Sequence, residues 1–138
     1  MPHLPRLGVS TAVFDGGRVL LVRRGRAPLA ALWSLPGGRV RFGERLEEAA
    51  RRELAEETGA LAGPLVQVTA LDVIVPEADS HFVIVVHAGR LAGGTIQAGD
   101  DAAELGWFAP PEIGKLETTP GLADIVARAA ALLAPDPT

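Results

Sequence analysis

The sequence predicts an α+β domain, an α/β/α sandwich of helices on a central sheet. Three observations predict it. Strand-like and helix-like stretches are mixed without the regular strand–helix–strand alternation of a doubly wound fold. Glu44 to Thr58 has the composition and apolar spacing of one strong helix. The chain has 138 residues, 48% hydrophobic and 22% charged, which suits a single packed domain over 1–138 with one sheet and two or three helices.

Two apolar runs, Leu7 to Phe14 and Arg18 to Val22, flank Asp15-Gly16-Gly17 and read as a β-hairpin. Arg23 to Leu32 reads as a loop, broken by Gly25 and Pro28. In Trp33-Ser34-Leu35-Pro36-Gly37-Gly38, the proline keeps Leu35 extended, and the paired glycines allow a backbone path closed to other residues. In the helix that follows, Leu46, Ala50 and Leu54 recur at i, i+4 and i+8, and Gly59 stands where a C-cap belongs. Leu65 to Val75 reads as a strand stopped by Pro76, and His81 to His87 as a Val-rich strand with a turn at Gly93-Gly94. Gly99 to Glu104 reads as an acidic loop and Leu105 to Phe108 as a short strand. Pro110-Pro111 suits a helical turn, and Thr118-Thr119-Pro120 opens a helix over 120–133. The proline-containing tail, 134–138, is expected to fray.

The net charge of −4 argues against duplex nucleic acid as a partner, because such binding needs a basic surface. It leaves small phosphorylated molecules open, since a bound metal and a few arginines are enough to hold them. Cysteine is absent, which excludes disulfides, thiolate metal sites and thiol nucleophiles. Residues 1–7 contain no long apolar run, and no segment is long and apolar enough to span a membrane. A cytoplasmic location is the expectation, and a homodimer stays open.

Glu53, Glu56 and Glu57 occupy i, i+3 and i+4 of the helix and are surface neighbours. Their mutual repulsion has two readings. One is a solvated acidic face paired with Arg51 and Arg52. The other is an oxygen-rich cluster for a hard cation such as Mg²⁺, brought close to backbone carbonyls by the preceding Pro-Gly-Gly loop.

The spacing from Gly38 resembles the signature of the Nudix family. Gly38 is followed after five residues by Glu44, and after seven more by Arg52-Glu53-Leu54-Ala55-Glu56-Glu57-Thr58-Gly59. The final apolar position of the signature is the small Ala60 here, followed by Leu61. Trp33 to Gly38 upstream and Glu104-x-x-Trp107 downstream add to the resemblance. It implies a Nudix α/β/α sandwich with a mixed β-sheet between helices. It also implies Mg²⁺-dependent hydrolysis of a diphosphate bond, with Mn²⁺ as an alternative metal. Glu53, Glu56 and Glu57 would hold the metal with the Gly38 carbonyl. Arg52 would orient a carboxylate of the motif. Glu44 would stabilise the helix start or act behind the site. The general base would be Glu53, or an acid of the loop Asp100-Asp101-Ala102-Ala103-Glu104, of which Glu104 is preferred; Glu57 joins Glu53, Glu104 and Arg52 as the residues expected to carry catalysis.

The resemblance implies a small nucleotide as the substrate. A nucleoside diphosphate linked to a second group, ADP-ribose or a relative, is favoured. The alternatives are a nucleoside triphosphate, as in MutT-like sanitising enzymes, or a catalytically silent ligand-binding module. Arg23, Arg24 and Arg26 are candidates for phosphate contacts and Trp33 and Phe82 for stacking on a base, against the plainer readings of a solvated basic loop and of core aromatics. Trp107 and Phe108 carry the same two readings. His81 and His87 read as edge or core histidines.

Overall fold

The computed structural model describes residues 3–26, 29–99 and 101–133. The expectations for Met1, Pro2, Pro28, Asp100 and the tail 134–138 lie outside them. The strands are β1 (Arg6–Asp15), β2 (Arg18–Arg24), β3 (Trp33–Ser34), β4 (Gly37–Arg39), β5 (Ala60–Ala62), β6 (Val66–Val75), β7 (Ser80–Gly94) and β8 (Ala102–Phe108). The α-helices are α1 (Leu46–Thr58) and α2 (Leu122–Leu133), and single 3₁₀ segments cover Pro76–Ala78 and Pro110–Lys115.

The sheet is mixed. β1 runs parallel to β7 from Arg6 opposite Phe82 to Phe14 opposite Arg90. On its other side β1 pairs antiparallel with β4 at Gly8–Ser10 and with β2 at Phe14 and Asp15. β2 carries β8 along its length and β3 at its end, while β6 and β5 pair with β7. Burial along β1 alternates between two faces, as a strand covered on both sides requires. Val9 and Val13 pack towards α1 with Leu20, Ala49, Ala50 and Leu54. Ala12 and Phe14 pack towards α2 with Val19, Leu21, Val86, Val126 and Ala129. The result is the α/β/α sandwich.

Helix α1 begins two residues after the expected Glu44. The Arg45 N–H donates to Glu48 Oε1 at 3.0 Å, and the helix starts one residue later at Leu46. Glu44 is held outside the helix by other bonds, described below. The C-terminus falls where expected: Gly59 has φ 76°, and a Cβ there would collide with the Thr95 carbonyl. The segment after β7 closes over this helix end. Gln97 N–H donates to Thr58 O and Gly99 N–H to Glu57 O, each at 2.8 Å, satisfying carbonyls that α1 leaves unpaired.

Other boundaries differ for physical reasons. β7 does not turn at Gly93-Gly94 but runs to Gly94, because β1 and then β5 continue its pairing beyond His87. β8 starts at Ala102 rather than Leu105, because Arg24 and Arg23 of β2 supply partners for Ala102 and Glu104. α2 starts at Leu122, two residues after Pro120.

Candidate active site

The site forms where β4 crosses β1 beneath the C-terminal half of α1. Gly38 lies in β4, opposite Val9, and faces Glu53 of α1. A Cβ on Gly38 would fall within 3.0 Å of the Glu53 carboxyl, so only glycine lets the strand and the carboxylate approach this closely. One residue earlier, the Gly37 N–H donates to Glu57 Oε2 at 2.8 Å. The Pro-Gly-Gly path thus seats two carboxylates of one helix against the edge of one strand.

Arg52 organises the cluster. Its Nε and Nη2 donate to the two Glu44 oxygens at 2.6 and 2.9 Å, a bidentate pair. Nη1 donates to Glu53 Oε1 at 2.7 Å and to Glu56 Oε2 at 3.3 Å, and Nη2 also reaches the Arg39 carbonyl at 2.8 Å. The Arg52 side chain is 17% exposed and Glu44 16%. Hydrogen bonds from Arg52, and then the Arg41 N–H, hold the Glu44 carboxyl at about 2. Glu44 is therefore a permanent anion that anchors the guanidinium.

Glu57 is pushed the other way, up to about 7. Burial is the largest cause; the Gly37 N–H opposes it, the Glu53 charge adds to it, Arg24 opposes it and Asp101 adds to it. Glu56 points outward between Arg52 and Arg41, 3.7 Å from the latter. Among the described residues, no three acidic or histidine side chains converge into a ready-made metal cage. Arg52 holds Glu53 and Glu56, and the Gly37 N–H holds Glu57, so the three carboxylates sharing a helical face are tied to different partners. The donor chemistry still fits a hard cation: all-oxygen, with Glu53 and Glu57 repelling each other beside a glycine backbone.

The shift on Glu57 has a consequence for stability. In the metal-free protein the folded state keeps this proton up to about 7, while the unfolded chain releases it near 4.5. The folded state binds more protons in that window, so the contribution is full below 4.5 and is lost as pH rises through 7. Thermal midpoints of metal-free wild type should fall relative to Glu57→Gln from about pH 5 to about pH 7.5. Parallel curves would contradict the shift.

An open cleft of about 1820 Å³ runs from Glu57 across the α2 face of the sheet. Arg24, Gly37, Gly38, Glu57, Asp101 and Phe82 line it. The structure thus brings Arg24, Arg26 and Phe82 of the expected substrate residues to the cleft. Trp33 is elsewhere: its ring meets Phe108 edge-on at 5.1 Å and 74°, against the α2-side core, which is the plainer reading of both aromatics. Trp107 packs on the α1 side with Leu20 and Leu54. Arg23 and Glu104 are cross-strand partners, joined at 2.9 Å. Glu104 therefore lies in β8, not in the acidic loop, and its carboxylate is held by Arg23. Arg26 pairs with Asp101 at 3.1 Å. His81 is a half-buried partner of Asp72 at 3.4 Å, and His87 is buried in the core.

Sequence reasoning missed two participants. One is the Gly37 N–H as the fixed partner of Glu57; the paired glycines were its visible trace. The other is Arg39, which follows Gly38 and lines the cleft.

The sheet is sandwiched by helices and carries a Gly-Glu-Arg-Glu-Glu-Glu cluster at one strand crossing. The NUDIX domain family model matches residues 4–129, and the chain belongs to the Nudix hydrolase family. It is 34% identical over 114 residues to an ADP-ribose pyrophosphatase of Methanocaldococcus jannaschii, covering 81% of this chain and 66% of that protein. It is 33% identical over 106 residues to the 8-oxo-dGDP phosphatase NUDT18 of Mus musculus, covering 72% of this chain and 31% of that protein. The chain thus spans less than two thirds of each of these relatives. Among solved structures it resembles a MutT NUDIX hydrolase from Burkholderia pseudomallei with TM-score 0.82 and 30% identity, over 91% of this chain and 98% of that one. Among the described residues no helix is long and apolar enough to cross a membrane.

Proposed function

We propose that this chain hydrolyses the diphosphate bond of a nucleoside diphosphate carrying a second group, with ADP-ribose or a close relative favoured, in a Mg²⁺-dependent reaction that Mn²⁺ can also support. The observation that carries this is the burial of Glu57 beside Glu53, behind two glycines, in the wall of a cleft large enough for a whole nucleotide. The cleft continues past Phe82 to Val73 and Val75 of β6, which suits a substrate with groups on both sides of the diphosphate.

Glu53, Glu57 and the Gly38 carbonyl would hold the metal, with Glu56 recruited from its exposed arginine contacts. When bound, the cation neutralises diphosphate oxygens and makes a water more acidic. The protein's own groups supply the rest. Arg52 fixes Glu53 against Gly38, and its pairing with the Glu44 anion keeps it there. Arg24 offers positive charge to a phosphate in the cleft. The acid that takes the proton from the attacking water is Asp101 rather than Glu104, because Asp101 lines the cleft and its charge reaches Glu57. Glu104 stays in the β2–β8 ion pair. Asp101→Asn should lower kcat by about tenfold to a hundredfold, and Glu104→Gln by less than about threefold. The reverse ranking in steady-state assays would return the role to Glu104.

The second reading, a nucleoside triphosphate substrate, is favoured by a likeness of 38% identity over 97 residues to a putative 8-oxo-dGTP diphosphatase of Bacillus subtilis. Products separate the two. ADP-ribose yields AMP and ribose 5-phosphate; a triphosphate yields a nucleoside monophosphate and pyrophosphate. A higher kcat/KM for ADP-ribose than for dGTP and 8-oxo-dGTP supports the first reading, and the opposite order overturns it. The silent-module reading is disfavoured because all the acids of the motif are present.

A further inference from the structure

We propose that Arg39 is a base-binding residue that closes over a nucleobase stacked on Phe82. The proposal rests on reading the cleft as the nucleotide site and names the group that holds a base there.

Arg39 and Phe82 both line the cleft. They come from different strands, β4 and β7, each joined to β1. The Arg39 guanidinium carbon sits over the Phe82 ring, 5.9 Å from its centroid. Among the described residues Arg39 makes no ion pair, whereas Arg23, Arg26, Arg41, Arg51 and Arg52 all do. Its side chain is therefore free to face an incoming ligand.

The backbone below it is tightly placed. Arg52 Nη2 donates to the Arg39 carbonyl at 2.8 Å, and the same guanidinium grips Glu53 at 2.7 Å. The strand that presents Arg39 is thus locked to the carboxylates that act on the diphosphate. Stacked layers lie roughly 3.5 Å apart, so a base between ring and guanidinium needs about 7 Å. The present distance from guanidinium carbon to ring centroid, 5.9 Å, is about 1 Å short of that. An exposed arginine with no carboxylate partner can open by that amount without breaking an ion pair. A base would then be held between an aromatic face and a planar cation, which grips any base by its π surface.

The test is calorimetric titration of metal-free protein with AMP and with ribose 5-phosphate, which lacks the base. Arg39→Ala and Phe82→Leu should each weaken AMP binding by about tenfold and leave ribose 5-phosphate unchanged. Arg39→Lys, which keeps the charge and loses the plane, should resemble Arg39→Ala. Arg18→Ala, which removes a charge from the β1–β2 turn, should bind AMP as wild type does. In steady state Arg39→Ala should raise KM with kcat unchanged. The proposal is overturned if wild type does not bind AMP, if Arg39→Ala leaves AMP binding unchanged, if both ligands weaken equally, or if Arg39→Lys restores full affinity. Wild type that binds AMP in this pattern but hydrolyses no nucleotide would remove the proposed activity and leave the base platform standing.

Discussion

Glu57→Gln should leave a folded protein whose turnover is lower by about a hundredfold at saturating Mg²⁺. The amide keeps the size of the side chain, and its oxygen can still accept the Gly37 N–H. What it loses is the negative charge. Burial and Glu53 already make that charge costly in the metal-free protein, which is why the carboxyl sits at about 7. Removing it should hold or raise the thermal midpoint of metal-free protein near pH 8, where the native side chain is ionised. Loss of activity with gain of stability is the pattern expected of a site that stores repulsion for a cation. Near-normal kcat, or collapse of the fold, would contradict this role.

Arg52→Ala should lower both stability and activity. The side chain is mostly buried, and five of its contacts go to Glu44, Glu53, Glu56 and the Arg39 carbonyl. Its loss leaves the Glu44 and Glu53 carboxylates, 16% and 19% exposed, without their main cation. A fall in melting temperature of about 5 to 10 °C is expected, together with a drop in kcat of about a hundredfold from misplacement of Glu53. Arg52→Lys should recover part of the stability and little of the activity, because one ammonium cannot reproduce the bidentate grip on Glu44. Calorimetric melting and steady-state kinetics on the two variants check this. A stable Arg52→Ala variant with wild-type kcat would remove Arg52 from the account.

The local parts of this structure were readable in the chain. Leu46, Ala50 and Leu54 announce the buried stripe of α1, and Gly59 its end, because helical period and C-cap chemistry act over a few residues. Asp15-Gly16-Gly17 announces the first hairpin for the same reason. The non-local parts were not. β3, β4 and β5 are two or three residues long and exist only because β2, β1 and β7 offer partners. The parallel pairing of β1 with β7 joins residues some 76 positions apart, from Arg6 with Phe82 to Phe14 with Arg90, and no local signal encodes it. The site divides in the same way. Gly38, Arg52, Glu53, Glu56 and Glu57 could be named from the resemblance to the Nudix signature. The proposed preference for Asp101 over Glu104 could not, since it depends on where β8 begins against Arg23 and Arg24. Arg39 was invisible because nothing in its neighbourhood says that Phe82 will lie beneath it.

The most direct measurement follows ADP-ribose by ³¹P NMR with the intact protein, first with excess EDTA and then with Mg²⁺ added. The account predicts an unchanged diphosphate signal in EDTA. On Mg²⁺ addition, that signal should convert to the two phosphomonoester signals of AMP and ribose 5-phosphate, at a rate about a hundredfold lower in Glu57→Gln. Cleavage that proceeds equally in EDTA, or no cleavage of ADP-ribose or any nucleoside triphosphate with Mg²⁺ present, would contradict it.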